Sequence, residues 1–293
     1  MAEPLLSVVV CTHDRPEALV QCLRGISSLE GDLEVIVVDS ASTRPAQPLV
    51  EEFSGSFRRF VYHYEPVAGL SRARNRGLEL ARSDLVAFID DDAVPERDWA
   101  IRLAGAFADP NVACAGGTCR AAFDAARPRW LSDRLLQFAG VTRFGSEPRR
   151  ARSSAEYPFG ANVCFRRQVL LDIGGFSEHL GRVGANLLSG EEYEVMTTLE
   201  RLGWTIWLEP RAIVDHRVSA ERCRSRYYWS RLWWQGITRA RARRSPALAL
   251  RLCCASVVRL GLWVVTGDRC HLFRVAETAG YLADCLRPRS AFG

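Results

Sequence analysis

Three consecutive carboxylates, Asp90, Asp91 and Asp92, directly follow the apolar run of residues 85–89. Ionised carboxylates this close repel one another, so such a run needs positive charge nearby. Oxygen ligands of this kind suit Mg²⁺ or Mn²⁺, which can bridge protein carboxylates to a diphosphate and offset the charge of a leaving group. A solvated acidic turn before a helix would explain the same residues without a metal. Because side chains alternate along a strand, Asp90 and Asp92 should point one way and Asp91 the other.

Two further polar clusters follow apolar runs nearer the N-terminus. Thr12, His13 and Arg15 come after the first run, and Asp39 comes after the second. A carboxylate at the end of a second strand often binds a ribose in nucleotide-binding folds. The first loop reads CTHDRP rather than GxGxxG, however, which argues against a dinucleotide site.

The elements that must position these residues alternate along the first 120 residues. Helical spacing of apolar residues separates the runs, with Ser71 as the cap of one helix and Pro95 at the start of another. This order predicts an α/β fold whose central sheet is mostly parallel, with helices on both faces. Ligands bind beyond the carboxyl ends of such strands, so the three polar clusters should meet at one edge. The predicted strands are the apolar runs at 5–11, 33–38, 58–64, 85–89 and 111–117.

Beyond residue 120 the pattern changes. An Arg-, Ala- and Ser-rich stretch, 121–157, reads as an irregular insertion, and 203–210 reads as a further strand. The segment 221–244 is aromatic and basic at helical spacing, and we predict a core helix or one that stacks on an acceptor. The domain prediction is an α/β half over 1–120, a second half of the same domain over 121–220, and a helical extension over 221–293.

Composition limits the function classes. The net charge is +5, and all 39 basic residues are Arg, which indicates coding bias more than nucleic-acid binding. The ten cysteines lack zinc-site spacing, and the N-terminus lacks a signal peptide, so we predict a cytoplasmic protein with reduced thiols. No run of about eighteen uncharged apolar residues occurs, which predicts no spanning helix. We expect the apolar segment 248–265 to lie at the inner face of the membrane, to pack against the rest of the protein, or to form a homodimer interface.

The chain resembles the family 2 glycosyltransferases, which are inverting enzymes of the GT-A fold, from Ser7 to about His216. Each motif is weak alone, but their order is specific. The matching pieces are SVVVCTHDRPEAL (7–19), VIVVDSAS (35–42), GLSRARNRG (69–77), FIDDDAVP (88–95), FGANVCFRR (159–167), GGF (174–176), GEEYEV (190–195) and VDH (214–216).

The resemblance implies transfer of a sugar from a nucleoside-diphosphate donor, with UDP as the first choice, helped by Mn²⁺ or Mg²⁺. It makes residues 1–120 the nucleotide-sugar-binding half and residues 121–220 the acceptor-binding half. It makes Asp92 the principal metal ligand, with Asp90 and His216 as further ligands. A lone His after a strand is more often a surface or core residue, so only the motif favours this role. The implied donor-binding residues are Thr12, His13, Arg15, Asp39, Arg74, Asn75, Asp90, Asp91, Gly160 and Asn162.

The resemblance places the general base in GEEYEV. Family members usually carry Glu-Asp or Asp-Asp where this chain has Glu191 and Glu192. We assign the base to Glu192, one methylene longer than the usual Asp, with Glu191 as the alternative. Two exposed glutamates at a helix start would be the structural explanation of the same pair.

Two other functions remain open at this stage. A sugar-1-phosphate nucleotidyltransferase shares the general fold but carries a glycine-rich first loop and a phosphate-binding Lys, and this chain has no Lys. A non-catalytic nucleotide-sugar-binding protein is the second alternative, because a fold does not guarantee chemistry. The acceptor is left open among a polysaccharide, a glycolipid and a secondary metabolite.

Overall fold

The structure is a computed structural model that describes residues 4–184 and 186–286. It has an α/β fold with a C-terminal helical region, which confirms the predicted fold class. The first elements follow the predicted alternation: β1 (Leu6–Thr12), α1 (Pro16–Ser27), β2 (Leu33–Ser40), α2 (Gln47–Val50, continued by a 3₁₀ turn), β3 (Arg59–Glu65), α3 (Leu70–Leu80) and β4 (Leu85–Asp90).

Apart from β6, the later elements up to residue 190 are short, and those after it are longer. They are β5 (Ala93–Pro95), α4 (Trp99–Gly105), β6 (Val112–Phe123), α5 (Asp133–Leu136), β7 (Arg149–Arg150), β8 (Asn162–Arg166), α6 (Arg167–Asp172), α7 (Glu191–Arg201), β9 (Thr205–Val218), α8 (Ser225–Ala242), α9 (Pro246–Thr266) and α10 (Arg269–Cys285).

Two predicted helix starts were wrong. Helix α3 has Gly69 rather than Ser71 at its N-cap, because the Ser71 hydroxyl donates instead to the Leu180 carbonyl at 2.8 Å. Pro95 lies in strand β5, and α4 begins only at Trp99. Both errors have the same cause. In each case an interaction with a residue distant in the sequence overrode the local preference for a helix start.

The sheet order is β3-β2-β1-β4-β8-β6-β9-β5, with β7 paired to β9. Strands β3, β2, β1 and β4 are parallel, so their carboxyl ends share one edge. Strand β8 then runs antiparallel to β4, and β5 runs antiparallel to β9. The parallel part predicted from the sequence is therefore one half of a mixed sheet.

Two apolar cores lie on the two faces of the sheet. Successive residues of β1 alternate between them: Val8 belongs to the core that contains Trp99, and Val9 belongs to the core that contains Met196. Gly77 of α3 lies so close to Val9 that an added Cβ would stand 2.3 Å from a valine methyl. The sheet is therefore buried on both faces, as its continuous apolar strands predict.

The chain forms two compact units. The sheet unit comprises residues up to Ala122, Gly140–Gly181 and Glu191–Arg217, and the helical unit comprises Phe123–Ala139, Arg182–Gly190 and the chain from Val218 onward. The boundaries predicted at residues 120 and 220 divide the chain by function and not by compactness, and they stay predictions.

In the helical unit, aromatic residues form the core. The rings of Trp130, Tyr228 and Phe273 contact one another, and Tyr228 is fully buried. Helix α10 lies within the predicted helical extension, although the sequence analysis gave no bounds for it; it supplies Phe273 and packs against α8 and α9.

Helix α9 differs from the rest of the helical unit. It has 21 residues and is long and apolar enough, by length and composition, to cross a membrane. The expectation of no spanning helix rested on Arg251 and Arg259, which interrupt the otherwise apolar run, and it stays a prediction. Only Leu252 and Ser256 of α9 are buried.

Candidate functional site

The acidic triplet lies at the turn between β4 and β5. Strand β4 ends at Asp90, and the chain then folds back so that Ala93 pairs with His216 of β9. This pairing brings the His216 Nε2 atom to 3.2 Å from Asp92 Oδ1 and 4.0 Å from Asp90 Oδ2. Ligand atoms from these three side chains all lie within 4.8 Å of one another, so the group could hold a metal ion.

The surroundings of His216 suit such a role. Its ring is buried, and its Nδ1 atom has no hydrogen-bond partner among the described residues. Gly140, with a φ of +87°, closes on the ring, and a Cβ there would stand 2.7 Å from His216 Cε1. The two carboxylates and the imidazole supply hard oxygen donors with one nitrogen, a donor set that fits Mn²⁺ or Mg²⁺.

Arg15 is the positive charge that the triplet requires. Its guanidinium lies 2.7 Å from Asp91 Oδ1 and 3.0 Å from Asp92 Oδ2. The Thr12 hydroxyl donates to Asp91 Oδ2 at 2.7 Å, so Asp91 turns toward β1 while Asp90 and Asp92 approach His216. Burial raises the pKa of Asp91 to about 7, although Arg15 acts in the opposite direction.

The first and second polar clusters also meet. His13 Nδ1 lies 2.7 Å from the Ser40 carbonyl, and Asp14 accepts hydrogen bonds from the backbone and hydroxyl of Thr43. Asp39 is fully buried and accepts hydrogen bonds from the Ser42 and Ala46 amides and from the Tyr62 hydroxyl, which hold the loop after β2; its role in donor binding stays a prediction.

Arg74 connects the acidic triplet to α7. Its NH1 group lies 2.6 Å from Glu191 Oε1, and its NH2 group lies 3.6 Å from Asp90 Oδ1. Both Arg74 and Glu191 are almost wholly buried. Gly160 provides the space, since a Cβ there would stand 2.2 Å from Arg74 NH2. The arginine expected at a phosphate or base is therefore held between two carboxylates of the protein.

Glu191 and Glu192 behave as a coupled pair. Burial and the adjacent Glu192 charge raise the pKa of Glu191 to about 8, while Arg74 opposes the rise. Burial acts on Glu192 in the same sense, but Arg74 and the hydrogen bond from Glu191 outweigh it and lower the Glu192 pKa. Glu192 is consequently the ionised member near neutral pH. Its Oε1 accepts from the Gly160 amide at 3.3 Å, and its Oε2 has no partner among the described residues.

Two predicted donor-binding asparagines make side-chain hydrogen bonds within the protein. Asn75 exchanges two 2.8 Å hydrogen bonds with the backbone of Phe176, which fixes the GGF turn. Asn162 accepts from Trp99 Nε1 and donates to the carbonyls of Thr118 and Ala212. These side chains support the architecture of the site.

Sequence reasoning missed Gly140 and the hydrogen bond between Arg74 and Glu191. The pair joins residues 117 positions apart, which no local pattern reveals. Gly140 lies in the stretch 121–157, which gave no periodic signal.

The model of Glycosyl transferase family 2 matches residues 7–174. A glucosyl-dolichyl phosphate glucuronosyltransferase from Haloferax volcanii is 27% identical over 80% of this chain and 76% of its own length. The succinoglycan biosynthesis protein ExoM of Rhizobium meliloti is 29% identical over 84% and 77%.

Solved structures are similar in fold. The mannosyltransferase PcManGT from Pyrobaculum calidifontis, determined with GDP-Man and Mn²⁺, has a TM-score of 0.60 at 19% identity, covering 97% of this chain and 88% of that one. The fold and the family match define a sugar-transferring enzyme. This chain belongs to glycosyl transferase family 2, as the sequence predicts.

Proposed function

We propose that the protein transfers a sugar from a nucleoside-diphosphate sugar to an acceptor hydroxyl, with inversion and with a divalent metal. The observation that supports this proposal most directly is that Arg74 lies between the candidate metal ligand Asp90 and the buried carboxylate pair of α7. One connected site thus contains a group suited to a diphosphate and a group suited to proton removal.

The donor side is assigned to the edge formed by β1, β2 and β4. Asp92, Asp90 and His216 would hold the metal, which when bound would supply a Lewis acid to offset the charge of the departing diphosphate. The nitrogen donor makes Mn²⁺ the better fit of the two candidate ions. The half-exposed His13 borders the nucleoside, while Arg15 keeps Asp91 and Asp92 in place.

The base is assigned to Glu192. Glu191 is bound to Arg74 and holds the shared proton, whereas Glu192 is ionised and keeps one carboxylate oxygen unpartnered. Glu192 would remove the acceptor proton as the hydroxyl oxygen attacks the anomeric carbon from the face opposite the diphosphate. A single displacement of this kind inverts the anomeric configuration.

The relatives support the donor class. The mannosyltransferase structure contains GDP-Man and Mn²⁺, and a similar structure of TarS contains UDP. Their nucleotides differ, so UDP remains a first choice for this chain. The acceptor stays open among a polysaccharide, a glycolipid and a secondary metabolite.

The test is thermal stabilisation by UDP, GDP, dTDP and CDP, each with Mn²⁺, Mg²⁺ or EDTA. We expect one nucleotide to stabilise the wild type only with metal, and to leave Asp92→Ala unchanged. Asp172→Ala, which removes an exposed carboxylate at the end of α6, should behave like the wild type. No shift with any nucleotide and metal would overturn the donor assignment.

Two assays separate the rival functions. Pyrophosphate release from a nucleoside triphosphate and a sugar phosphate would identify a nucleotidyltransferase. Donor hydrolysis or transfer above a metal-free blank would exclude a protein that only binds the donor.

A further inference from the structure

The C-terminal half of α9 exposes apolar side chains around the whole helix. Every residue from Leu260 to Thr266 is exposed, and Val264 and Val265 reach 75% and 83%. Seven consecutive helical residues cover almost two turns, so this exposure is not confined to one face. In water, such a surface is unfavourable in proportion to its area.

The first half of α9 is packed differently. Leu252 and Ser256 are buried, and the Ser256 and Thr278 hydroxyls lie 2.7 Å apart. This contact fastens the first half of α9 to α10. From Val257, directly after the last buried residue, to Thr266 every residue except Arg259 is exposed.

Charge favours an anionic surface as the partner. Helix α9 contains Arg251 and Arg259 and no acidic residue. Burial, with help from nearby Arg274, lowers the pKa of Arg259, and Glu277 also lies near it, so this side chain belongs to the side that meets α10. The sides of this exposed half that face away from α10 therefore carry apolar residues and no charged side chain.

We infer that the segment Val257–Val265 of α9 inserts into the interface of a phospholipid bilayer that contains anionic lipid. A second protein surface would cover one side of the helix, whereas acyl chains surround it. From Leu260 to Thr266 the helix is ~10 Å long, which matches the depth reached by interfacial helices. Trp263 lies in this segment, and Trp is favoured at the boundary between lipid and water.

The packing of α9 argues against a complete span. Glu277 of α10 is fully buried and lies 2.8 Å from Arg239 and 2.9 Å from Arg274. Asp284 is likewise buried beside Arg244. If the whole of α9 crossed the hydrocarbon with α10 attached, these charges would enter it too, at a large free-energy cost.

The test is co-flotation of the full chain with vesicles. Wild type should float with phosphatidylcholine mixed with an equal amount of phosphatidylglycerol, and less with phosphatidylcholine alone. Val264→Asp combined with Val265→Asp should lower the floated fraction roughly tenfold. Leu202→Asp, a matched change at an exposed leucine 61% accessible in the sheet unit, should float like the wild type.

A second measurement needs no aspartate variant. Brominated phosphatidylcholine in the mixed vesicles should quench part of the tryptophan fluorescence, and Trp263→Phe should remove most of that quenching. Failure of the wild type to float, or equal flotation of the double variant, would overturn the inference. So would a dimer that the double variant abolishes without any flotation, or protein that resists alkaline carbonate extraction from cell membranes, as a spanning helix does. These outcomes are independent of nucleotide binding, so the proposed function is judged separately.

Discussion

The buried Arg74 guanidinium donates to Glu191, with 2.6 Å between NH1 and Oε1. Because Glu191 keeps its proton up to a pH of about 8, the carboxylate charge that Arg74 compensates in this pair is that of Glu192, and removing the guanidinium leaves this charge without compensation in a poorly solvated place. We expect Arg74→Met to lower the free energy of unfolding by about 3 kcal/mol, measured by urea denaturation. Arg72→Met removes an exposed ion pair of the same helix and should cost less than about 0.5 kcal/mol. Equal losses in the two variants would contradict the structural role of Arg74.

The raised pKa of Glu191 makes stability depend on pH. In the folded protein this carboxyl keeps its proton from the ordinary pKa of 4.5 up to about 8, whereas the unfolded chain has lost it. Its contribution is therefore complete below pH 4.5 and is lost as the pH rises through 8. Glu192, with a lowered pKa, loses its contribution only as the pH falls below the ordinary value.

We expect the free energy of unfolding of Glu191→Gln, relative to the wild type, to rise between pH of about 5 and about 9. Gln is neutral at every pH, so the variant does not lose stability through ionisation at this position. Urea titrations at four pH values would measure the difference. Glu194→Gln, an exposed change in the same helix, is the control; a parallel slope there would attribute the effect to surface charge.

Removing the base should slow turnover without removing the donor. Glu192→Gln keeps the size of the side chain but cannot accept the acceptor proton. We expect kcat to fall by roughly 10²–10⁴-fold, while nucleotide-dependent thermal stabilisation persists. Glu191→Gln should retain more activity than Glu192→Gln, and the reverse order would move the base to Glu191.

Gly140 should control the candidate metal group through His216. In Gly140→Ala the new methyl meets the buried imidazole at 2.7 Å, so the ring must move. We expect Mn²⁺ affinity to fall roughly tenfold, measured by calorimetry without nucleotide. Gly145→Ala has a nearly equal φ of +82° and nothing within 4 Å of its added Cβ. It carries the same backbone strain without the contact and should bind Mn²⁺ like the wild type.

The parts of the fold that local pattern determines were predictable. Continuous apolar runs predicted β1, β2 and β4, and parallel order then implied that their polar ends meet, as the Thr12–Asp91 hydrogen bond illustrates. Helix α10 lies in the predicted helical extension, but its bounds were missed because its buried face is not purely apolar: it includes Glu277 and Asp284, which arginines of the helical unit compensate.

The roles of individual polar residues were harder to predict from the sequence. Asp39 looks like a ribose ligand by its position, yet Tyr62 and two backbone amides already bind it. Asn162 lies in a recognisable motif, but its partner Trp99 comes from a helix 63 residues away. Such partners are chosen by packing, and one sequence does not contain that information.

The position of Arg74 between Asp90 and Glu191 also has a thermodynamic consequence. A charge brought to Asp90 competes for the same guanidinium that opposes protonation of Glu191, so it changes the proton affinity of the carboxylate pair. Linkage requires the converse with equal free energy: the protonation state of the pair changes the affinity for whatever binds at Asp90. The two ends of the site therefore communicate through a single side chain, without any movement of the backbone.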